Sequence, residues 1–340
     1  MTFSTKLRYF ADRRWPAGTG IGIVQSELEA RRPADVEIVD LDVKGSIGSP
    51  FSPLRVTQAI RKHSKSKQLT YLSFGFIPPL LHAGRSIVLV HDLTHLHYYG
   101  TFKRVYYDVV LKRLYRNCEA IICPSDYTKC EFVKWSKINP DKIHTIYNGC
   151  SEAFRINDEK LDLGFKYIVY PGNYRNYKNL IKLIQSYAKS NVSQIGVHLV
   201  MTGSGNSDLN KTSKQYGVAD YVHFIGKLPE SDMPKLYSGA IALLFISLYE
   251  GFGLPIVEAM ASGVPVITSN VTSMPEIAGD AALIVDPHSE NEISAAIRRV
   301  STDEKLRQDL IDRGIERATH FSWDKMAVKF WSLANRVSLS

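Results

Sequence analysis

Short, nearly continuous apolar runs alternate with longer mixed stretches along this chain. They fall at residues 86–90, 120–123 and 143–146, then at 167–170, 197–201, 222–225, 241–246, 264–268 and 282–285. Runs this short, rich in Val and Ile and lacking a polar alternation, are predicted to be strands buried on both faces of a parallel sheet. The stretches between them are long enough for helices. Two successive βαβ sets follow, and with them an α/β chain of two Rossmann-like doubly wound domains. Residues 45–53 read as a Gly/Ser/Pro loop, and the polar residues 157–164 read as the link between domains. The expected division is 1–160, 161–320 and a final helical segment, 321–340.

One junction is more informative than the others. The apolar run 240–246 leads into Tyr249, Glu250, Gly251, Phe252, Gly253 and Leu254, and then into a segment from Pro255 to Ala261. Proline in a first turn suits the start of a helix. The pattern is therefore strand, tight loop, helix, and open α/β sheets bind ligands at such strand ends. Gly251 and Gly253 allow a close backbone approach, and the helix start offers free N–H groups to an anion. Glu250 sits in the loop, where it can meet sugar hydroxyls. Glu258 sits about one turn into the helix, where a carboxylate can accept both hydroxyls of a ribose diol.

Composition leaves this picture unchanged, but charge adds to it. With 340 residues, 44% hydrophobic and 22% charged, the chain fits two globular domains with separate cores. No apolar run approaches the roughly 18 residues of a membrane span, and the start lacks a signal-peptide core, so a cytoplasmic protein is expected. Cys118, Cys123, Cys130 and Cys150 show no metal-binding spacing and read as reduced packing residues. Residues 1–160 hold 24 Lys+Arg against 16 Asp+Glu, a net of +8, whereas the remainder balances at 18 of each. The basic excess lies wholly in the first half. It suits an anionic acceptor or weak peripheral contact with an anionic membrane at its inner face. Residues 61–67 form a basic run, expected as a solvated loop. Residues 101–116 are predicted to be a helix, with Phe102, Val105, Tyr106, Val109 and Val110 at helical spacing beside Lys103, Arg104, Lys112, Arg113 and Arg116. Such a helix can lie on a bilayer or pack as a core helix with a basic outer face. No helix-turn-helix, zinc-finger or RNP pattern is present, and nucleic acid is set aside.

The string from Glu250 to Ile267, EGFGLPIVEAMASGVPVI, resembles the hallmark of retaining glycosyltransferase family 4, which has the GT-B fold. Residues 269–282 are also similar to that family. The resemblance spans nearly the whole chain and is strongest over 167–287. It implies two domains facing a central cleft, an acceptor-binding first domain, a nucleotide-sugar-binding second domain and a last helix crossing back to the first. It assigns Glu250 to the transferred sugar and Glu258 to the ribose. It also implies a phosphate site after residue 170, where Gly172 is followed by Asn173 at the position of the usual Arg, with Arg175 and Lys178 nearby. Gly203 and Gly205 are expected near the nucleotide. His91 matches a His near the donor sugar, and Gly20 and Gly22 match a loop approaching donor and acceptor. The implied donor site is thus Gly20, Gly22, Gly172, Gly203, Gly205, Gly251, Phe252, Gly253, Leu254 and Glu258. Its catalytic group is His91, Glu250, Lys178 and Arg175. Ser125, Asp126, Asn148 and Gly149 also match family landmarks, but read equally well as a helix cap and a turn.

The implied reaction moves a hexose from a nucleotide diphosphate sugar to a hydroxyl of a glycan or lipid-linked oligosaccharide in surface polysaccharide synthesis. Retention would follow if the leaving diphosphate helps deprotonate the acceptor on the same face. GDP-mannose is the first choice of donor, followed by UDP-glucose and dTDP-rhamnose. No cofactor is expected, and no metal, because no D-x-D motif adjoins a sugar-binding strand. Two readings from other classes remain open: a glycoside hydrolase using the paired carboxylates, and a non-catalytic nucleotide-sugar-binding protein.

Overall fold

The computed structural model describes residues 7–16, 18–63, 70–81 and 84–339. Residues 64–67 of the basic run lie outside them. The chain divides into two compact units, residues 1–149 with 323–340, and residues 150–322. Segment 150–160 belongs with the second unit. Cys150 N–H donates to Phe321 O (3.1 Å), and Phe154 packs edge-on against Tyr237 (5.5 Å).

The first unit holds strands β1 (Leu7–Asp12), β2 (Val36–Leu41), β3 (Thr70–Ser73), β4 (Arg85–Leu89), β5 (Ala120–Cys123) and β6 (Ile143–Thr145). They form one parallel sheet in the order β2-β1-β3-β4-β5-β6. The order reverses between β1 and β3. Helix α1 (Gly20–Ala30) follows β1, and Thr19 caps it by accepting from Gly22 N–H at 3.1 Å. The C-terminal helix Trp323–Leu339 belongs to this unit and buries Met326, Phe330, Trp331 and Ala334 with Tyr9, Leu28, Leu72 and Phe74. Trp331 Nε1 donates to Leu28 O at 3.0 Å, and Tyr9 OH donates to Asn335 Oδ1 at 2.8 Å.

Two local expectations change. Residues 52–63 are helical, so Arg61, Lys62 and His63 end a helix and are not loop residues. The Ser52 hydroxyl at its start donates to the carbonyls of Ser46 and Ile47 in the preceding turn. Residues 101–115 are helical, but their middle, Tyr107–Leu111, is a π-helix. The buried face is Tyr107, Leu111, Leu114 and Tyr115. Phe102, Val105 and Val109 instead face solvent, at 81%, 52% and 49% exposure. The segment is thus a core helix with a basic outer face, but of the expected stripe only Tyr106 and Val110 pack against the core, because the π turn brings a different set of side chains inward.

The second unit holds β7 (Lys166–Tyr170), β8 (Val197–Met201), β9 (Val222–Phe224), β10 (Ala242–Phe245), β11 (Val266–Ser269) and β12 (Ala282–Val285). The parallel order is β12-β11-β10-β7-β8-β9. Numbered within the unit, that is the 3-2-1-4-5-6 order of dinucleotide-binding sheets, and its switch point lies between β7 and β10. Helix α2 (Leu254–Ala261) follows β10. Among the described residues no helix is long and apolar enough to cross a membrane. All four cysteines are free. Cys118 and Cys123 are packing residues, and burial pushes the Cys118 thiol up to about 12. Cys130 is exposed, so the packing expectation fails there.

Candidate functional site

The loops leaving β7 and β10 flank the switch point of the second sheet and are joined to each other. Leu248 N–H donates to Tyr177 O at 2.7 Å. After β7 the chain turns at Gly172, whose φ of +139° suits glycine and whose N–H donates to Thr202 Oγ1 at 2.9 Å. Tyr170 OH donates to Asn173 O at 2.8 Å and pins the turn. Residues Asn176–Lys178 form a single 3₁₀ turn that buries Lys178. Asn179 then takes a left-handed conformation (φ 61°), and its Nδ2 donates to Pro287 O at 2.8 Å. This fixes the backbone at the point where Lys178 turns toward the neighbouring loop.

Lys178 Nζ meets Glu250 Oε1 at 2.6 Å, and their side chains are only 10% and 14% exposed. The structure thus brings together two residues 72 positions apart. Glu250 is held from behind. Its N–H donates to Thr272 Oγ1 (3.2 Å), and its carbonyl accepts from Ser273 Oγ (2.9 Å). Thr272 has φ 59°, which costs a β-branched residue strain. Arg175 is exposed on the same loop, with Nη1 3.4 Å from Tyr177 OH.

Glu258 lies in α2, and its Oε2 accepts from Tyr237 OH at 2.8 Å. Burial raises its carboxyl to about 7, against the pull of that hydrogen bond. The two glutamates therefore differ in setting: one is ion-paired, the other is bonded to a neutral phenol. Gly251, Phe252 and Gly253 are buried between them. Gly253 has φ +100°, and a Cβ there would stand 3.0 Å from Ile256 Cδ1. Phe252 packs edge-on against Phe321, and Leu254 opens α2.

Gly203 and Gly205 follow β8. Their φ values of +101° and +71°, and the rings of Tyr174 and Phe224 where a Cβ would sit, explain both glycines by turn and packing. In the first unit, Gly20 and Gly22 lie in the opening turn of α1, and a Cβ at Gly20 would meet nothing within 4 Å. His91 follows β4, and its Nε2 lies 2.6 Å from Phe74 O. That contact requires the proton on Nε2 and leaves Nδ1 as an acceptor. Burial lowers the pKa of this ring, favouring the neutral form. Ser125 caps the helix Asp126–Ser136, accepting from Thr128 N–H at 3.1 Å. Among the described residues no group of three or more His, Cys, Asp or Glu could hold a metal ion.

Tyr237, Thr272, Ser273 and Asn179 were not singled out from the sequence. The only signal available for Thr272 and Ser273 was their place in the second family-like string.

Two doubly wound domains in one chain, the second with a cation–carboxylate pair at its switch point, have the architecture of the GT-B class. The family described as "Glycosyl transferases group 1" matches residues 152–317, and that described as "Glycosyltransferase Family 4" matches residues 33–154. The chain is 30% identical over 256 residues to the O-antigen chain mannosyltransferase B of Escherichia coli, covering 71% of this chain and 67% of that one. Its fold is similar to the sucrose-phosphate synthase of Thermosynechococcus elongatus (TM-score 0.79, 16% identity, 97% of this chain and 98% of that one). It is also similar to HepE of Anabaena, solved with UDP and glucose (TM-score 0.75, 14% identity, 97% and 100%). The chain belongs to glycosyltransferase family 4 and is a glycosyltransferase of the GT-B fold.

Proposed function

We propose that this enzyme transfers mannose from GDP-mannose to a hydroxyl of a glycan or lipid-linked oligosaccharide, with retention at the anomeric carbon, during surface polysaccharide assembly. The observation that carries the reading is the Lys178–Glu250 pair at the switch point between β7 and β10. The likeness to an O-antigen mannosyltransferase supports the choice of sugar. HepE was solved with UDP and glucose, which keeps UDP-glucose as a second donor to test, beside dTDP-rhamnose.

In this reading the donor diphosphate comes to Lys178, with Arg175 as a second cation. Charge building on the diphosphate as the glycosidic bond breaks is met by those donors. Glu250 accepts hydrogen bonds from sugar hydroxyls, and Glu258 takes the ribose diol. The departing phosphate oxygen receives the acceptor proton on the face it leaves, so no protein nucleophile is needed. His91 keeps the role its family position implies, near the donor sugar, as a neutral ring with Nδ1 as its acceptor. The charge is handled by side chains, so turnover is expected to survive EDTA. The basic first unit is assigned the acceptor, and weak contact with an anionic membrane surface.

A thermal-shift screen against GDP, UDP, dTDP and ADP and their sugar conjugates tests the donor. A ligand at 100 times its Kd adds about 2.7 kcal/mol of stability. A shift with one base names it; no shift with any counts against the reading. Glu250→Ala is then expected to abolish turnover with the fold retained by circular dichroism. Unchanged kinetics would remove the central assignment.

A further inference from the structure

We infer that Glu250 is the counter-anion of Lys178 with which a diphosphate must compete, and that the pair disfavours a nucleoside diphosphate relative to the intact nucleotide-sugar. The inference rests on the reading above, in which a diphosphate comes to Lys178.

The Lys178 ammonium is enclosed. Apart from Glu250 it faces the Phe245 and Tyr177 rings, at 5.0 and 5.4 Å from their centroids. Ring faces attract a cation but do not neutralise it. A cation so buried needs an anion, and Glu250 supplies one at 2.6 Å. An incoming diphosphate competes for the same ammonium and leaves Glu250 beside a like charge. The carboxylate cannot escape by backbone retreat, because Thr272 and Ser273 bind both the N–H and the carbonyl of Glu250.

The two ligands then differ in what they give back. An intact donor carries a sugar whose hydroxyls donate to the displaced carboxylate. A nucleoside diphosphate has no sugar there, and its terminal phosphate carries additional charge. Glu250 is left unpaired against it, the costly arrangement for an enclosed carboxylate. The repulsion falls on the sugarless product and favours its departure after transfer.

Binding constants for the nucleoside diphosphate and for its hexose conjugate, measured by calorimetry on wild type and Glu250→Gln, test this. Glutamine removes the charge but keeps an oxygen for Lys178. The affinity for the nucleoside diphosphate is expected to rise about ten-fold, and that for the intact donor to rise less or to fall. An unchanged ratio of the two constants, or a ratio moving toward the donor, overturns the inference while leaving the donor site standing. Wild type that binds neither ligand takes both down. Should Glu250→Gln fail to fold, Glu250→Ser must move the ratio in the same direction.

Discussion

Glu258 carries its carboxyl into a setting where the neutral form is favoured, and this has a consequence for stability. Its ordinary value of 4.5 rises to about 7 in the folded protein. A raised acid binds its proton more tightly in the folded state. Its contribution is therefore full below pH 4.5 and is lost as pH climbs through about 7. Urea midpoints from pH 5 to 8 should fall more steeply for wild type than for Glu258→Gln, which cannot titrate. Parallel curves would mean that Glu258 does not titrate in that window. At this scale Glu250 and Glu258 were legible as two carboxylates around a glycine turn, and Lys178 only through the family-like string after residue 170. Tyr237 was not legible, because its contact with Glu258 spans 21 residues and depends on how two elements pack. Arg175 was legible only as a charge, and the structure places it on the exposed side of its turn.

Among the elements, the helical segment 101–115 differs most from a simple amphipathic reading. Its outer stripe of Phe102, Val105 and Val109 is flanked by Lys103, Arg104 and Arg113, and Tyr98 and Tyr99 are exposed beside it. Lys103 lies over the Tyr99 ring at 4.5 Å. Apolar side chains ringed by cations and tyrosines match the chemistry of an anionic bilayer surface. Replacing Phe102, Val105 and Val109 with Ser should cut co-sedimentation with anionic vesicles at least about ten-fold, given the apolar area withdrawn. The melting temperature should hardly move, since exposed substitutions are usually within about 0.5 kcal/mol. No wild-type binding even at low salt would count against this surface. Strands were legible where their apolar run is continuous: β4, β5, β7, β8 and β10 are buried along nearly their whole length, and the edge strands β6, β9 and β12 were expected as well. β2 was not, because an edge strand half open to solvent interrupts its apolar run with Glu37 and Asp40. β1 and β3 lie inside their sheet but did not stand out, because Arg8 and Asp12 in one and Thr70 and Ser73 in the other break the apolar run.

For the whole molecule, the chain enters the second unit at Cys150 and returns to the first at Trp323. The core of the first unit is incomplete without Phe330 and Trp331, both essentially buried. Each contributes on the order of 2 kcal/mol or more by burial alone. A fragment of residues 1–149 should therefore lack a cooperative urea transition, whereas residues 150–322 should show one. Linking residues 323–340 to the first fragment through a flexible spacer should restore the transition. A cooperative fragment 1–149 would show that the helix is an ornament.

The same arrangement orders events during synthesis. Ribosomes deliver the first unit's six strands early, yet the helix that closes its core is translated after the entire second unit. The usual N-terminal-first sequence of domain folding is then inverted. The later-made unit can finish before the earlier one, which must wait with apolar surface open, a natural client for a chaperone until residue 323 and beyond leave the exit tunnel.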